Sequence, residues 1–242
     1  VVGGVRGTSR LAGSEEYDPA TGTWTSVAPL ALGRSHHEAT LHPNGQVWVT
    51  GGVAPTGNTS ACEIYNPATR AWSAGPALAA ARSMHTTTIT AGGTLLVAGG
   101  AFLATCESYS LSTGVPRRET WAPAPINSYH YGSASTRLAD GRILVTGGDS
   151  YPKTFSECWI LDPLARTWQA TAPMPEPRES HHSFLLRDGR VLIFGGYDGD
   201  TSLHTAYLYS PSSQAWTAAG WKLAVNSGPY YPAVQLKDGR IL

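Results

Sequence analysis

A glycine pair recurs every 48 residues along the chain, beginning at Gly3, Gly51, Gly99, Gly147 and Gly195. A fixed period of this size marks an array of like units, because one such unit cannot bury its apolar faces alone and must stack on its neighbours. Two copies are near-identical over nine residues, DGRILVTGG from Asp140 and DGRVLIFGG from Asp188. Residues 1–242 therefore read as one domain of five repeats.

Each period follows one plan. In the unit from Arg34 to Trp72, SHHEATLH is followed by a PNG turn, the β-branched run QVWVTGG, a third run SACEIYNP and a closing segment at Trp72. Runs of this length and composition predict four short strands. Asn44-Gly45, Gly92-Gly93, Asp140-Gly141, Asp188-Gly189 and Asp238-Gly239 fill the first turn, where a tight hairpin needs positive φ. Tyr17, Tyr65, Tyr109 and Tyr209 mark third strands, and Trp24, Trp72, Trp121, Trp168 and Trp216 close the units. No stretch keeps a 3.6-residue apolar period, and 27 Gly and 17 Pro punctuate the chain, so helix should be nearly absent.

Four strands per unit, a diglycine ending the second, an aromatic residue in the third and a Trp in the fourth resemble the kelch repeat over the whole chain. The resemblance implies an all-β, kelch-type β-propeller, with four-stranded blades fanning around an axis and the first strand innermost. The Trp residues would then pack between blades, each burying of the order of 200 Å². At ~25 cal/mol per Å² that is at most roughly 5 kcal/mol apiece. The chain closes on KDGRIL and opens on VVGG, which join head to tail into one more copy of the motif. Two readings follow: a five-bladed ring with one split strand, or a fragment of a six- or seven-bladed ring. The second is preferred, because kelch-like rings usually have six or seven blades.

With 41% apolar and 14% charged residues the chain can bury a core,. Its 17 basic and 17 acidic residues form no run of either sign, so neither nucleic acid nor membrane insertion is expected. Cys62, Cys106 and Cys158 occupy one slot of successive units, too far apart for disulfides, and are expected to be small packed side chains. The compact YDPATGTW-type units and scarce lysines resemble bacterial kelch-repeat proteins, many of them exported, which implies an extracellular or cell-surface location.

The turns between strands one and two and between strands three and four are nearly constant. The segments after the later diglycines vary, reading VAPTGNTS, AFLAT, DSYPKTF and YDGDTSL. Variation confined to one face of a rigid scaffold points to that face as the binding surface. The entries to the first strands belong to the same rim and hold six of the eight histidines. Arg34, His36, His37, Arg82, His85, Tyr129, His130, Arg178, His181, His182, Tyr230 and Tyr231, with Tyr151 and Tyr197 from the loops, are the candidate ligand-binding residues. Guanidinium, imidazole and phenol groups around one mouth suit an acidic peptide, a carboxylate or a sugar, so the expected partner is a protein, peptide or carbohydrate, with no cofactor. A histidine repeated at one slot is more often a hydrogen-bonded packing element shared by every blade than a ligand, and packing is the first expectation for it. The third and fifth units depart from the pattern, with NSYHYG and NSGPYY.

Tyr129-His130 also resembles the copper-radical oxidases of the galactose oxidase and glyoxal oxidase type, whose propellers supply Tyr and His to copper from strand entries. That chemistry needs a cysteine cross-linked to a ligand tyrosine, and every cysteine here lies in a third strand. No G-x-S-x-G, H-E-x-x-H or C-x-x-C motif is present,. Asp198-Gly199-Asp200 reads as a solvated turn, and Asn58-Thr59-Ser60 matches a glycosylation acceptor,.

Overall fold

The computed structural model describes residues 1–100, 103–110, 117–121, 131–222, 233–236 and 239–241, the side chains of 117–121 and 222 excepted. Among them there is no helix, as the missing 3.6-residue period predicts. Four complete blades are antiparallel meanders with their strands in chain order. The first blade is Glu38–Leu41, Val47–Thr50, Cys62–Asn66 and Ala71–Ala74, and the second is Thr86–Ile89, Leu95–Ala98, Cys106–Ser110 and Arg117–Trp121. The third is Ala134–Arg137, Ile143–Thr146, Cys158–Asp162 and Thr167–Thr171, and the fourth is His182–Leu185, Val191–Phe194, Thr205–Ser210 and Ala215–Lys222. A two-strand ribbon, Ser14–Asp18 with Thr23–Val27, precedes them, and a bridge between Gln235 and Ile241 follows.

Successive first strands lie side by side, stitched by hydroxyl groups. Thr40 meets Thr87, Thr86 donates to Ser135 at 2.6 Å, and Thr136 shares a 2.5 Å bond with Ser183. Small hydroxyl side chains serve here because the strands crowd toward the axis and each polar group needs a partner there. Second strands are covered on both faces, which is why they read as unbroken apolar runs: all four residues of Leu95–Ala98, Ile143–Thr146 and Val191–Phe194 are buried.

The core lies between the blades. Trp48, Leu78, Ile89, Leu95, Val97 and Tyr109 fill the first boundary, while Leu144, Ile160, Met174, Val191, Ile193 and Tyr209 fill the third. The cysteines are free and buried, and burial pushes the Cys62 and Cys158 thiols up to about 11 and about 12, so they are inert apolar fillers,. The closing tryptophans bury less than expected: Trp24 is 54% exposed, and the fully buried indole is Trp48, in a second strand. Trp72 and Trp216 pack against Tyr65 and Tyr209 as tilted ring pairs with centroids 5.0 and 4.9 Å apart. Each sends its indole N–H to a carbonyl of the preceding unit, Ala28 or Ala172, at 2.9 Å. Their contribution is therefore a tilted aromatic pair and one hydrogen bond rather than a full area of burial.

At the described boundaries the diglycine joins one unit to the entry of the next. Gly51 and Gly52 have φ of 55° and 103°, values open to glycine and costly for other residues,. The Gly51 N–H donates to Ala61 within its own unit, and the Gly52 N–H reaches the Arg82 carbonyl of the next. A Cβ on Gly51 would lie 2.4 Å from that carbonyl and 2.8 Å from His85 Cε1. Positive φ and contact with the neighbouring blade together account for the 48-residue signature.

Candidate functional site

Strand entries and post-diglycine loops meet on one face, as the alternation of connections in a meander requires. Ser35 pairs with Val53, Tyr131 with Asp149 and Glu179 with Tyr197, so the first and second strands continue past the glycines into the rim. There the loops fold into small ribbons, Val5–Arg6 with Ser9–Arg10, Val53–Ala54 with Gly57–Asn58, and Asp149–Ser150 with Lys153–Thr154.

At the inner edge of this rim stand four residues in the left-handed region, His36, Met84, Gly132 and Ser180. Ser180 N–H donates to Gly132, Gly132 to Met84 and Met84 to His36, at 2.6, 3.1 and 3.0 Å. These backbone links pass from blade to blade and bring the strand entries together around one mouth.

The structure sorts the sequence candidates into two layers. Arg34, Arg82 and Arg178 lie behind the mouth, each fully buried. Arg34 donates to the carbonyls of Gly51 and Ala61 at 2.8 and 2.6 Å and pairs with Glu63 at 2.7 Å. Arg82 repeats this with Gly99, Thr105 and Glu107, and Arg178 with Gly195, Thr205 and Glu176. The expectation of a guanidinium-lined mouth is therefore corrected: these side chains tie down the diglycine carbonyls, and their charge is matched internally.

His85 and His181 are buried as well, their Nε2 atoms bonded to Thr50 and Thr146 of the preceding blades at 2.8 and 2.7 Å. Burial, reinforced by Arg82 and then His37, holds His85 down to about 3, and burial with Arg178 holds His181 well below the usual imidazole value,. His37, partly buried against Gly3, is lowered to about 4 by burial and then by Arg34. These three rings are neutral packing elements at physiological pH.

The outer layer holds the remaining candidates. His36 is half-buried, bonded through Nδ1 to Ser35 at 3.0 Å and lowered by burial and Arg10. His182 packs against Phe194 at 5.2 Å between ring centroids. Tyr151 projects from its ribbon, 92% exposed, and Tyr197 is partly buried beside Glu179. Tyr129, His130, Tyr230 and Tyr231 lie outside the described residues.

Two rim carboxyls that the sequence candidates omit stand out. Glu38 and Glu179 have no hydrogen-bond or ion-pair partner among the described residues. Burial raises Glu38 to about 8, while burial and the like charge of Asp149 raise Glu179 to about 7. On the opposite face a groove of about 380 Å³ runs between the second and third blades, lined by Asp140, Arg142, Asp162 and Arg166. Asp140 is paired to Arg142 at 2.7 Å, and Asp162 accepts from two amides of its own turn. Among the described residues no three His, Cys, Asp or Glu side chains gather as a metal site.

Residues 76–241 match the family model of the KLHDC2/KLHL20/DRC7 Kelch-repeats domain, and residues 1–31 match the Kelch motif. The chain belongs to the kelch-repeat family. The kelch fold extends to solved structures at low identity, which speaks for architecture alone. YjhT is 14% identical with a TM-score of 0.78, over 90% of this chain and 80% of that one. A fungal alcohol oxidase of the AA5 family, in complex with copper, is 19% identical with a TM-score of 0.75, over 96% of this chain and 53% of the oxidase. No curated protein matches the sequence.

Proposed function

We propose that this kelch propeller is a binding module that recognises a protein or peptide through the face where strand entries and post-diglycine loops meet. Kelch repeats generally mediate protein binding. One observation carries the choice of face: the bridges Ser35–Val53, Tyr131–Asp149 and Glu179–Tyr197 set the variable loops as short ribbons beside the mouth. A preorganised rim of varied sequence on a rigid frame loses little entropy when a partner docks. In this reading His36, Tyr151, His182 and Tyr197 touch the partner. Arg34, Arg82, Arg178, His37, His85 and His181 hold these contacts in position. Parallel peptide and glycan arrays probed with the purified protein test the idea. Peptide hits that vanish with Tyr151→Ser and Tyr197→Ala support it, glycan hits alone replace the partner class, and hits indifferent to both changes overturn the face.

The second reading, favoured by Tyr129-His130, is a copper-dependent oxidase of the galactose or glyoxal oxidase type. Stoichiometric copper uptake that disappears in His130→Ala would replace the binding reading.

A further inference from the structure

Charge on the binding face is distributed differently from what its residue types imply. The three arginines are neutralised within their own blades, and His37, His85 and His181 carry no charge near neutral pH. The carboxyls show the reverse. Glu38 sits on an innermost strand, in the slot where the second blade has Thr86 and the fourth His182. Glu179 enters the fourth blade, with its carboxyl over the backbone of Gly132: a Cβ built there would lie 3.3 Å from Glu179 Oε2 and 2.7 Å from Ser180 Oγ. Gly132 replaces the larger His36, Met84 and Ser180 of the other units at this left-handed position, and its missing side chain gives that carboxyl its seat beside the mouth.

Neither carboxyl has an internal cation. The charge acting on Glu179 is that of Asp149, of like sign, and Glu38 feels burial alone. None of the rim's described cations acts on either carboxyl: Arg10 bears on His36 as a like charge, Lys153 lies 4.8 Å over the Phe155 ring, and Arg6 is on the outer ribbon. A fold that matches each of its buried arginines with a carboxylate, yet leaves two partly buried carboxyls unmatched beside its strand entries, is complementary to a positive charge from outside,.

We propose that the mouth of the propeller receives a cationic side chain, the ammonium or guanidinium of a lysine or arginine in an extended peptide segment of the partner, with Glu38 and Glu179 as the contacting carboxylates. The inference rests on the binding reading above and reverses the acidic partner expected from the arginine and histidine content.

An array of twelve-residue peptides with Lys, Arg, Gln or Glu at the centre tests it, followed by anisotropy titration of the strongest hit. The expected result is enrichment of Lys and Arg, a Kd at least tenfold weaker in Glu179→Gln and in Glu38→Gln, and tighter binding at pH 8 than at pH 6. Thermal melts of both variants establish that the fold is retained. Hits that are lost in Tyr151→Ser and Tyr197→Ala but centre on Glu, or that ignore both Gln variants, overturn the cationic assignment and leave the face standing. An empty array, or hits lost only in Leu164→Asp on the opposite face, overturns the face and the inference together.

Discussion

His85 of the second blade and Thr50 of the first share a 2.8 Å hydrogen bond across the boundary between them. His181 and Thr146 repeat the arrangement at 2.7 Å. Where Ala98 replaces the threonine, Ser133 stands in the histidine slot, and where Val2 replaces it, His37 keeps the ring without the hydroxyl, so the full contact is made at the two boundaries that carry both residues. The repeated histidine is thus a latch between blades, the packing role that the sequence put ahead of ligand binding.

Replacing His85 with Ala should cost about 1–3 kcal/mol, the scale of a lost buried hydrogen bond with its packing, and Thr50→Val about 1 kcal/mol. The pH dependence follows from a neutral ring in the fold. The folded value of about 3 lies below that of a free histidine, so the latch contributes fully above about pH 6.5 and loses its contribution as pH falls toward 3. Urea unfolding of wild type and His85→Ala at pH 5 and 7.5 should show the gap narrowing in acid.

The buried Arg34–Glu63 pair should behave asymmetrically. Glu63→Ala leaves a fully buried guanidinium without its counterion and two amides, Ala31 and Leu32, without their acceptor. A loss of about 3–5 kcal/mol is expected. Arg34→Met combined with Glu63→Leu should cost less than either single change. Chemical denaturation of the two single variants and the pair checks this, and additive losses would count against a coupled pair.

Glycines of the two classes should respond unequally to alanine. Gly45 has φ of 87° and open space around its missing side chain, so Gly45→Ala should cost about 1 kcal/mol,. At Gly51 the added carbon would strike the Arg82 carbonyl and the His85 ring, and a loss of at least about 3 kcal/mol is expected, with the blade boundary opened. Differential scanning calorimetry of the two variants makes the comparison.

Glu38 should oppose folding in alkaline solution. Its folded value of about 8 lies above that of a free carboxyl. The neutral form is thus favoured in the fold, and stability present below about pH 4.5 is lost as pH rises through 8. Glu38→Gln should melt several degrees higher than wild type at pH 8.5 and at nearly the same temperature at pH 5. Equal shifts at both pH values would mean that the carboxyl ionises freely.

Much of the fold was legible because the chemistry behind it is confined to one or two residue types. Gly51 and Gly147 each combine positive φ with a neighbour inside the space of a Cβ, and only glycine satisfies both, so the period survives in plain letters. The third and fourth strands were marked by Tyr65 and Trp72, although the exposure of Trp24 was not, since covering an indole depends on the unit packed beside it. The direction of the arginines was hidden for a similar reason. A guanidinium facing solvent and one facing a glutamate 29 residues away, as Arg34 faces Glu63, are spelled alike. A signal existed nonetheless: Glu follows Cys in ACEIY and TCESY but Trp does so in ECWIL, the unit where His130 takes the arginine slot. Glu38 and Glu179 escaped notice because what distinguishes them is the lack of a partner, which no residue type records.

The relay of peptide groups from Ser180 through Gly132 and Met84 to His36 runs as an arc across four successive units. Along that arc no unit can retreat from its neighbour without snapping a main-chain link. The spacing of neighbouring strand entries is accordingly set by main-chain geometry, and what varies from unit to unit there is the side chains alone.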